Sequence, residues 1–206
     1  YVTYRMERLE VHGRTRNGCS SADFLQSGES ILTLADLLRK GAGPDWQMQV
    51  KRLPNMQAKI GWLVEQTERL TGLDRFGVYL TALFEADMLF GNEDRHLNNI
   101  AVLRRGEEFD YCPMFDFGAG LLSNVRDYPM DVEPKVLLSQ LRAQPMNAQF
   151  VRQVHAAQAN YGAQIRYDSS REDIVNALAE PLAFYAERDR SYISDRVMFC
   201  IQTQYR

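Results

Sequence analysis

Cysteine, lysine and long apolar runs are all scarce in this 206-residue chain, and each scarcity excludes something. No apolar stretch approaches the length that spans a bilayer, and no signal peptide is visible. The three cysteines (Cys19, Cys112, Cys200) are odd in number and far apart, without metal-ligand spacing. That usage argues against a disulfide framework and for reduced thiols in a cytoplasm, with a secreted effector as the alternative. The formal net charge is −3, so there is no basic footprint and direct nucleic-acid binding is not expected. No internal repeat or low-complexity segment is present. With 45% hydrophobic and 25% charged residues, the composition is that of one globular domain or one large lobe with a core of its own. The chain opens at Tyr1 rather than at Met, from which a fragment or a lost upstream segment is expected.

The expected fold class is α+β, mostly α. Residues 1–11 are rich in β-formers with imperfect alternation, which predicts a strand with a bulge. His12-Gly13 reads as a turn and 14–19 as the returning strand. Residues 31–40 read as a short helix closed by Gly41, followed by a Gly-Ala-Gly-Pro loop. Apolar residues at Met56, Ile60, Leu63 and Leu70 recur with helical spacing, Gly72 ends that helix and Asp74 can cap the next. The second helix, 75–90, is apolar nearly all round, as a helix in the centre of a helical core is. Residues 100–103 and 109–115 predict a short β-hairpin around Arg105-Gly106-Glu107, and 117–133 a long loop. Beyond it, 134–142, 147–159 and 173 to the C-terminus read as helices, the last broken at Pro181.

Chemistry concentrates after the apolar helix. Asp94-Arg95-His96-Leu97-Asn98-Asn99 and, past the hairpin, Asp116-Phe117-Gly118 place two carboxylates and an amide in two loops that a hairpin would bring side by side. Phosphoryl transfer asks for charge neutralisation and placement, with little covalent work by the protein. Asp94 can accept or orient an acceptor hydroxyl proton. Asn99 and Asp116 are the hard oxygen ligands that Mg²⁺ prefers. Gly118 and Gly120 would let the chain turn after the ligand. Singly, each residue has a plainer reading: a turn cap, a satisfied backbone amide, a common turn tripeptide. Order and spacing together favour the catalytic one. His96 either assists proton transfer or orients the loop by hydrogen bonds. Arg95 reads as a loop anchor rather than a substrate contact. His12 and His155 are isolated. Ser123, Tyr128 and Tyr192 read as loop or helix-surface residues rather than modification sites. Trp46 and Trp62 read as core or groove anchors.

These residues carry a family resemblance. The order Asp-Arg-His, inverted relative to the His-Arg-Asp of protein kinases, resembles the HipA-like (CtkA-like) serine/threonine kinases and the phosphatidylinositol 3/4-kinase-like lipid kinases. Tyr111-Cys112-Pro113-Met114-Phe115-Asp116-Phe117-Gly118, with a Pro ahead of a hydrophobic pair and the second Asp, resembles the HipA-like pattern. Phe184-Tyr185, Asp195-Arg196-Val197, and the opening strand with Cys19 and Phe24 are similar to it more loosely. The resemblance implies an atypical protein-kinase-like C-lobe with a short catalytic hairpin over 25–206, and over 1–24 a remnant of N-lobe strands and hinge. It implies ATP and Mg²⁺, transfer to a protein Ser or Thr hydroxyl, often with autophosphorylation, and an antitoxin-like or regulatory protein partner. Under it Asp94 is the catalytic aspartate, with His96 in the same loop, and Asn99 and Asp116 are metal ligands. Ser20, Ser21 and Phe24 fall in the hinge region that meets the adenine, and Phe117 and Gly118 flank the nucleotide.

One departure stands out. Lys40, Lys51, Lys59 and Lys135 are the only lysines, none in the strand-like opening, and no Gly-rich strand–turn–strand precedes the helices. The chain is therefore expected to be truncated or a shortened relative. A lipid kinase and a non-catalytic binding module stay open as alternatives. Against the lipid kinase, 121–133 offers an anionic headgroup one arginine beside three carboxylates.

Overall fold

A computed structural model describes residues 1–204. The chain is an α+β fold and mostly helical, with eight helices and two small antiparallel sheets among the described residues.

The chain begins with a hairpin, β1 (Tyr4–Val11) and β2 (Arg14–Ser21), that forms a sheet of its own. Its register runs unbroken from Tyr4↔Ser21 to Val11↔Arg14, so the predicted bulge is absent. His12 and Gly13 both take positive φ (51° and 69°), the two-residue turn whose twist matches the strands and fixes their register. Both faces of the hairpin are largely exposed, so nothing demands strict alternation of side chains.

The second sheet has the order β3-β4-β5, with β3 (Glu29–Thr33), β4 (Ala101–Arg105) and β5 (Glu108–Tyr111). Here the expected helix over 31–40 is corrected at its start. Ile31, Leu32 and Thr33 pair with Leu103, Val102 and Ala101, and α1 (Leu34–Gly41) begins only after Thr33, whose Oγ1 caps the Asp36 N–H at 3.2 Å. The strand is specified by a partner about seventy positions away, which local propensity does not reveal. β5 also stops short of the predicted 115, two residues before Pro113, which has no N–H to give a ladder.

Helix α2 (Trp46–Lys51), not foreseen, seats Trp46 in the core. Helix α3 (Met56–Thr71) starts at Asn55, whose Oδ1 accepts from the Ala58 N–H, and ends at the left-handed Gly72. Helix α4 (Phe76–Phe90) is the buried axis, with Phe76, Leu80, Leu83 and Phe84 inaccessible to solvent. Asp74 does not cap it. The Arg75 N–H at its start instead donates to the Tyr111 hydroxyl at 2.9 Å, which ties α4 to β5.

Helices α5 (Pro134–Gln140), α6 (Phe150–Tyr161), α7 (Arg171–Leu182) and α8 (Glu187–Gln204) complete the fold. α6 begins three residues later than predicted because Asn147 has φ +50° and 143–148 is closed by an Ala143–Ala148 bridge. Gly77 of α4 faces the Tyr161 ring of α6, and a Cβ there would lie 2.4 Å from the ring, so this crossing needs glycine. Pro181 sits in the last turn of α7 and the chain breaks after it, as predicted. Residues 205 and 206, the end of the stretch expected to be helical, lie outside the described residues. No helix among the described residues is long and apolar enough to cross a membrane.

Two measurements test this packing. Leu83→Ala should lower the unfolding free energy by about 3 kcal/mol in a urea titration, the usual cost of emptying a closed core site. Cys112 and Cys200 are buried and their thiols are pushed up to about 11 by that burial, whereas Cys19 is exposed. Iodoacetamide at pH 8 should therefore modify Cys19 alone, as read by mass spectrometry. Because the raised values favour the neutral thiols of the folded chain, their contribution to stability is complete below about pH 9 and is lost as pH rises through about 11.

Candidate active site

The site is organised by a carboxylate that the sequence reading passed over. Asp87 lies in the last turn of α4, a mostly apolar helix whose other carboxylate is Glu85, and its side chain is 1% exposed. It meets Arg95, also 1% exposed, in a forked pair: Nε donates to Oδ2 at 2.9 Å and Nη2 to Oδ1 at 3.0 Å. Burial pushes the Asp87 carboxyl up, and the Arg95 charge and an amide bond from Asn92 pull it back. With both charges matched and hydrogen-bonded, the pair can persist out of water.

Arg95 then joins the two loops. Its Nη1 donates to the carbonyl of Asn99 at 2.9 Å and to that of Phe115 at 2.7 Å, so one nitrogen holds the residue that ends the first loop and the residue that precedes Asp116. Asn92, fully buried, adds a second tie: its amide donates to Asp87 at 2.7 Å and to the Asp116 carbonyl at 3.3 Å. The expected role of Arg95 as a loop anchor is what the geometry describes. Asp87 and Asn92 were missed. The signal for Asp87 was a carboxylate on a helix too apolar to leave it unpaired, eight residues before an arginine.

The candidate catalytic and metal-holding groups are carried on this frame and face outward. Asp94 and His96 are 58% and 46% exposed, with His96 Nε2 3.6 Å from Asp94 Oδ1. The loop is a succession of tight turns, His96 N–H to the Asp94 carbonyl and Asn99 N–H to the His96 carbonyl. Asn99 Nδ2 donates to the Asp94 carbonyl at 2.9 Å. That bond fixes the amide and leaves Oδ1 without a donor among the described residues. The Asp116 carboxylate is exposed and likewise receives no hydrogen bond among them. Two oxygen donors left free by their own loops fit a hard cation such as Mg²⁺ that completes its shell with water and phosphate. No group of three or more His, Cys, Asp or Glu side chains able to hold a metal occurs among the described residues.

The turn around Asp116 differs from expectation. Neither Gly118 nor Gly120 takes positive φ; Asp116 (58°), Leu121 (57°) and Leu122 (55°) do. Backbone of that kind is costly for residues with a Cβ and persists only where its surroundings impose it. Gly120 is needed for another reason, since a Cβ there would meet the Phe90 carbonyl at 3.1 Å where the loop crosses the end of α4. The loop is held down further by Arg196 of α8, which donates to the carbonyls of Leu122, Tyr128 and Pro129.

The remaining candidates divide between the second loop and the segment that begins with β2. Phe117, which the resemblance places beside a nucleotide, packs its ring under the Arg95 guanidinium, 4.7 Å from the centroid, and edge-on to Phe90. Gly118 lies exposed beside Asp116. Ser20 and Ser21 are on β2, where the Ser20 hydroxyl donates to Glu7. Phe24 packs with Ala101, Leu103, Cys112 and Phe115 in a small cluster beside β4. Ser20, Ser21 and Phe24 make no hydrogen bond to the two loops among the described residues. The nearest link is at the hairpin's open end, where the Val2 N–H donates to the Met114 carbonyl at 2.9 Å. Trp46 and Trp62 both pack in or against the main core.

Comparison with protein-family models, with curated proteins and with solved structures finds no match for this chain.

Replacing Arg95 by Met leaves Asp87 buried without its partner and should cost about 3–5 kcal/mol in urea unfolding. Asp87→Leu combined with Arg95→Met should recover about 2 kcal/mol of that, because only the uncompensated charge is removed while the Asn99 and Phe115 carbonyls still lack a donor.

Proposed function

We propose that this chain is the catalytic and metal-holding part of a phosphotransferase of the HipA-like kind, one that moves the γ-phosphoryl group of ATP to a Ser or Thr hydroxyl of a protein, its own chain included. The observation that carries the reading is the convergence of two loops on Arg95, which fixes the backbone at Asn99 and Phe115 while the Asp94 and Asp116 carboxylates stay exposed and Asn99 Oδ1 receives no hydrogen bond among the described residues. Reacting groups on mobile loops act well when a rigid element supports them from below, and α4 with its Asp87 is such a support.

Each residue then has a task. Asp94 takes the proton of the acceptor hydroxyl, and the neighbouring imidazole of His96 orients its carboxylate. The acceptor oxygen bonds to the γ-phosphorus as the bond from that phosphorus to the β,γ-bridging oxygen breaks, and ADP leaves with the electron pair. Asn99 Oδ1 and the Asp116 carboxylate are the atoms that would hold Mg²⁺. When bound, that ion supplies neutralisation of phosphate charge. The hydrogen bond from Asn99 Nδ2 to the Asp94 carbonyl couples the metal-holding amide to the catalytic loop.

A second reading, a binding module that performs no transfer, is favoured by one observation: Lys40, Lys51, Lys59 and Lys135 all lie on helices, and no strand carries a lysine that could meet the phosphates.

Incubation with γ-labelled ATP and Mg²⁺ decides between them. Label should enter the chain or an added protein on Ser or Thr. Asp94→Asn and Asp116→Asn, both at exposed positions, should each lower the rate by about 10²–10⁴-fold with the folded state intact by circular dichroism. Transfer that neither substitution slows would sink the assignment. ATP-dependent thermal stabilisation with no transfer to any acceptor would leave the binding module.

A further inference from the structure

Directly after Asp116 the surface carries an apolar trough beyond the Asp94, Asn99 and Asp116 side chains. Two adjoining cavities of about 460 and 420 Å³ share Val125, Met130, Tyr185 and Ile193. The inner one is floored by the loop from Phe117 to Ser123, and the outer one runs along α8 to Tyr192. Val125 is 58% and Tyr192 66% exposed, with Met130 and Tyr185 also open to solvent. Contiguous apolar surface of this kind marks a place that another molecule covers.

The walls are set in advance. Arg196 ties the loop backbone at Leu122, Tyr128 and Pro129 to α8, and the Tyr128 hydroxyl donates to Glu93, the residue before Asp94. A ligand entering here meets a formed surface and has little ordering left to offset. The Tyr128–Glu93 bond also fastens the loop that carries Val125 and Met130 to the residue before Asp94.

Charge identifies the occupant. Segments 117–133 and 185–193 hold five carboxylates and three guanidiniums. Of the guanidiniums, Arg126 is exposed but lines neither cavity, Arg190 is tied to the carbonyls of Tyr185 and Ala183, and Arg188 lies 3.6 Å from Asp189. Arg196, which lies beyond these segments and lines the inner cavity, is buried and occupied by three carbonyls. Asp131 is left as a lining carboxylate with no ion pair among the described residues. On the side toward Asp94, Glu93 has its carboxyl pushed up by burial and then by the charges of Asp127 and Asp94, so the negative field extends to the catalytic loop. At Asp131 and around Glu93 an anionic ligand is disfavoured, and a cationic, partly apolar one is favoured.

On the phosphotransferase reading, we propose that this trough seats the acceptor polypeptide. An extended segment lies along it, with a large aliphatic or aromatic side chain among Val125, Met130 and Tyr192, a Lys or Arg beside Asp131, and the Ser or Thr hydroxyl at Asp94. Substrate choice is then a matter of one apolar anchor and one cation near the acceptor hydroxyl.

Binding can be read without catalysis. The probes are fluorescein-labelled peptides with alanine at the acceptor position, flanked by leucine and arginine, and a control series with glutamate in place of arginine. Anisotropy titrations against the full chain should show binding of the leucine–arginine series and none of the glutamate series. Met130→Lys and Asp131→Lys, both on the exposed rim and outside the two catalytic loops, should each weaken binding about tenfold, the scale of one apolar anchor or one partly desolvated charge pair. With serine restored, the same variants should raise KM and leave kcat unchanged. Equal binding of both series, or wild-type binding by both variants, would overturn the proposal. So would a concentration-dependent dimer that Met130→Lys abolishes while peptide binding persists, since a second copy would then be the occupant. The two readings fail separately. Peptide binding without phosphoryl transfer removes the kinase and keeps the docking trough. Transfer to proteins that neither variant slows removes the trough and keeps the kinase.

Discussion

The buried Asp87–Arg95 pair is the interaction on which the arrangement of this molecule rests. Two opposite charges at 1% exposure cost several kcal/mol to dehydrate, and only close hydrogen-bonded pairing offsets that. The guanidinium has more donors than the carboxylate can take, and the surplus reaches the Asn99 and Phe115 carbonyls. A desolvation problem at the end of α4 is thereby solved by fastening two loops to one point. Phe117 closes the other face of the guanidinium, so the residue after Asp116 belongs to the same assembly.

Regular structure gives way to side-chain ties outward from this point. α4 is anchored at its start by the Arg75–Tyr111 bond and along its length by the core of Phe76, Leu80, Leu83 and Phe84. The β4–β5 hairpin returns the chain from the first loop to the second, and β3 covers its other edge. Beyond Asp116 the chain relies on Arg196, whose three carbonyl contacts replace the regular structure that 117–133 lacks. The left-handed φ values at Asp116, Leu121 and Leu122 are held by contacts of this kind, since the residues themselves do not prefer them.

Much of the helical framework was legible in the sequence. The apolar period of α3, the apolar run of α4, and the left-handed glycines Gly72 and Gly91 mark their elements locally, as does the turn at His12-Gly13. The β3 strand was misread as helix because its reason for being extended is β4. The bulge assigned to β1 failed because an exposed hairpin with a two-residue turn has no need of one. Of the candidate site, Asp94, His96, Asn99, Asp116 and the anchoring role of Arg95 were readable from residue type and order. The partners that make them a site, Asp87 and Asn92, were not, since a buried polar residue declares itself only when its burial is known.

The sequence by itself determined what the loops can do chemically: a carboxylate, an imidazole, an amide oxygen and a second carboxylate, delivered by a helix too apolar to sit at the surface. Tertiary structure alone decided which of these face solvent, that Phe117 packs against Arg95, and that an apolar trough with Asp131 in its lining opens beside Asp116. The division has a physical cause. Side-chain chemistry and helical periodicity are properties of a residue and its near neighbours. The choice of partner for a buried charge, an unpaired carbonyl or an open strand is made by residues brought together from distant parts of the chain, when the core excludes water.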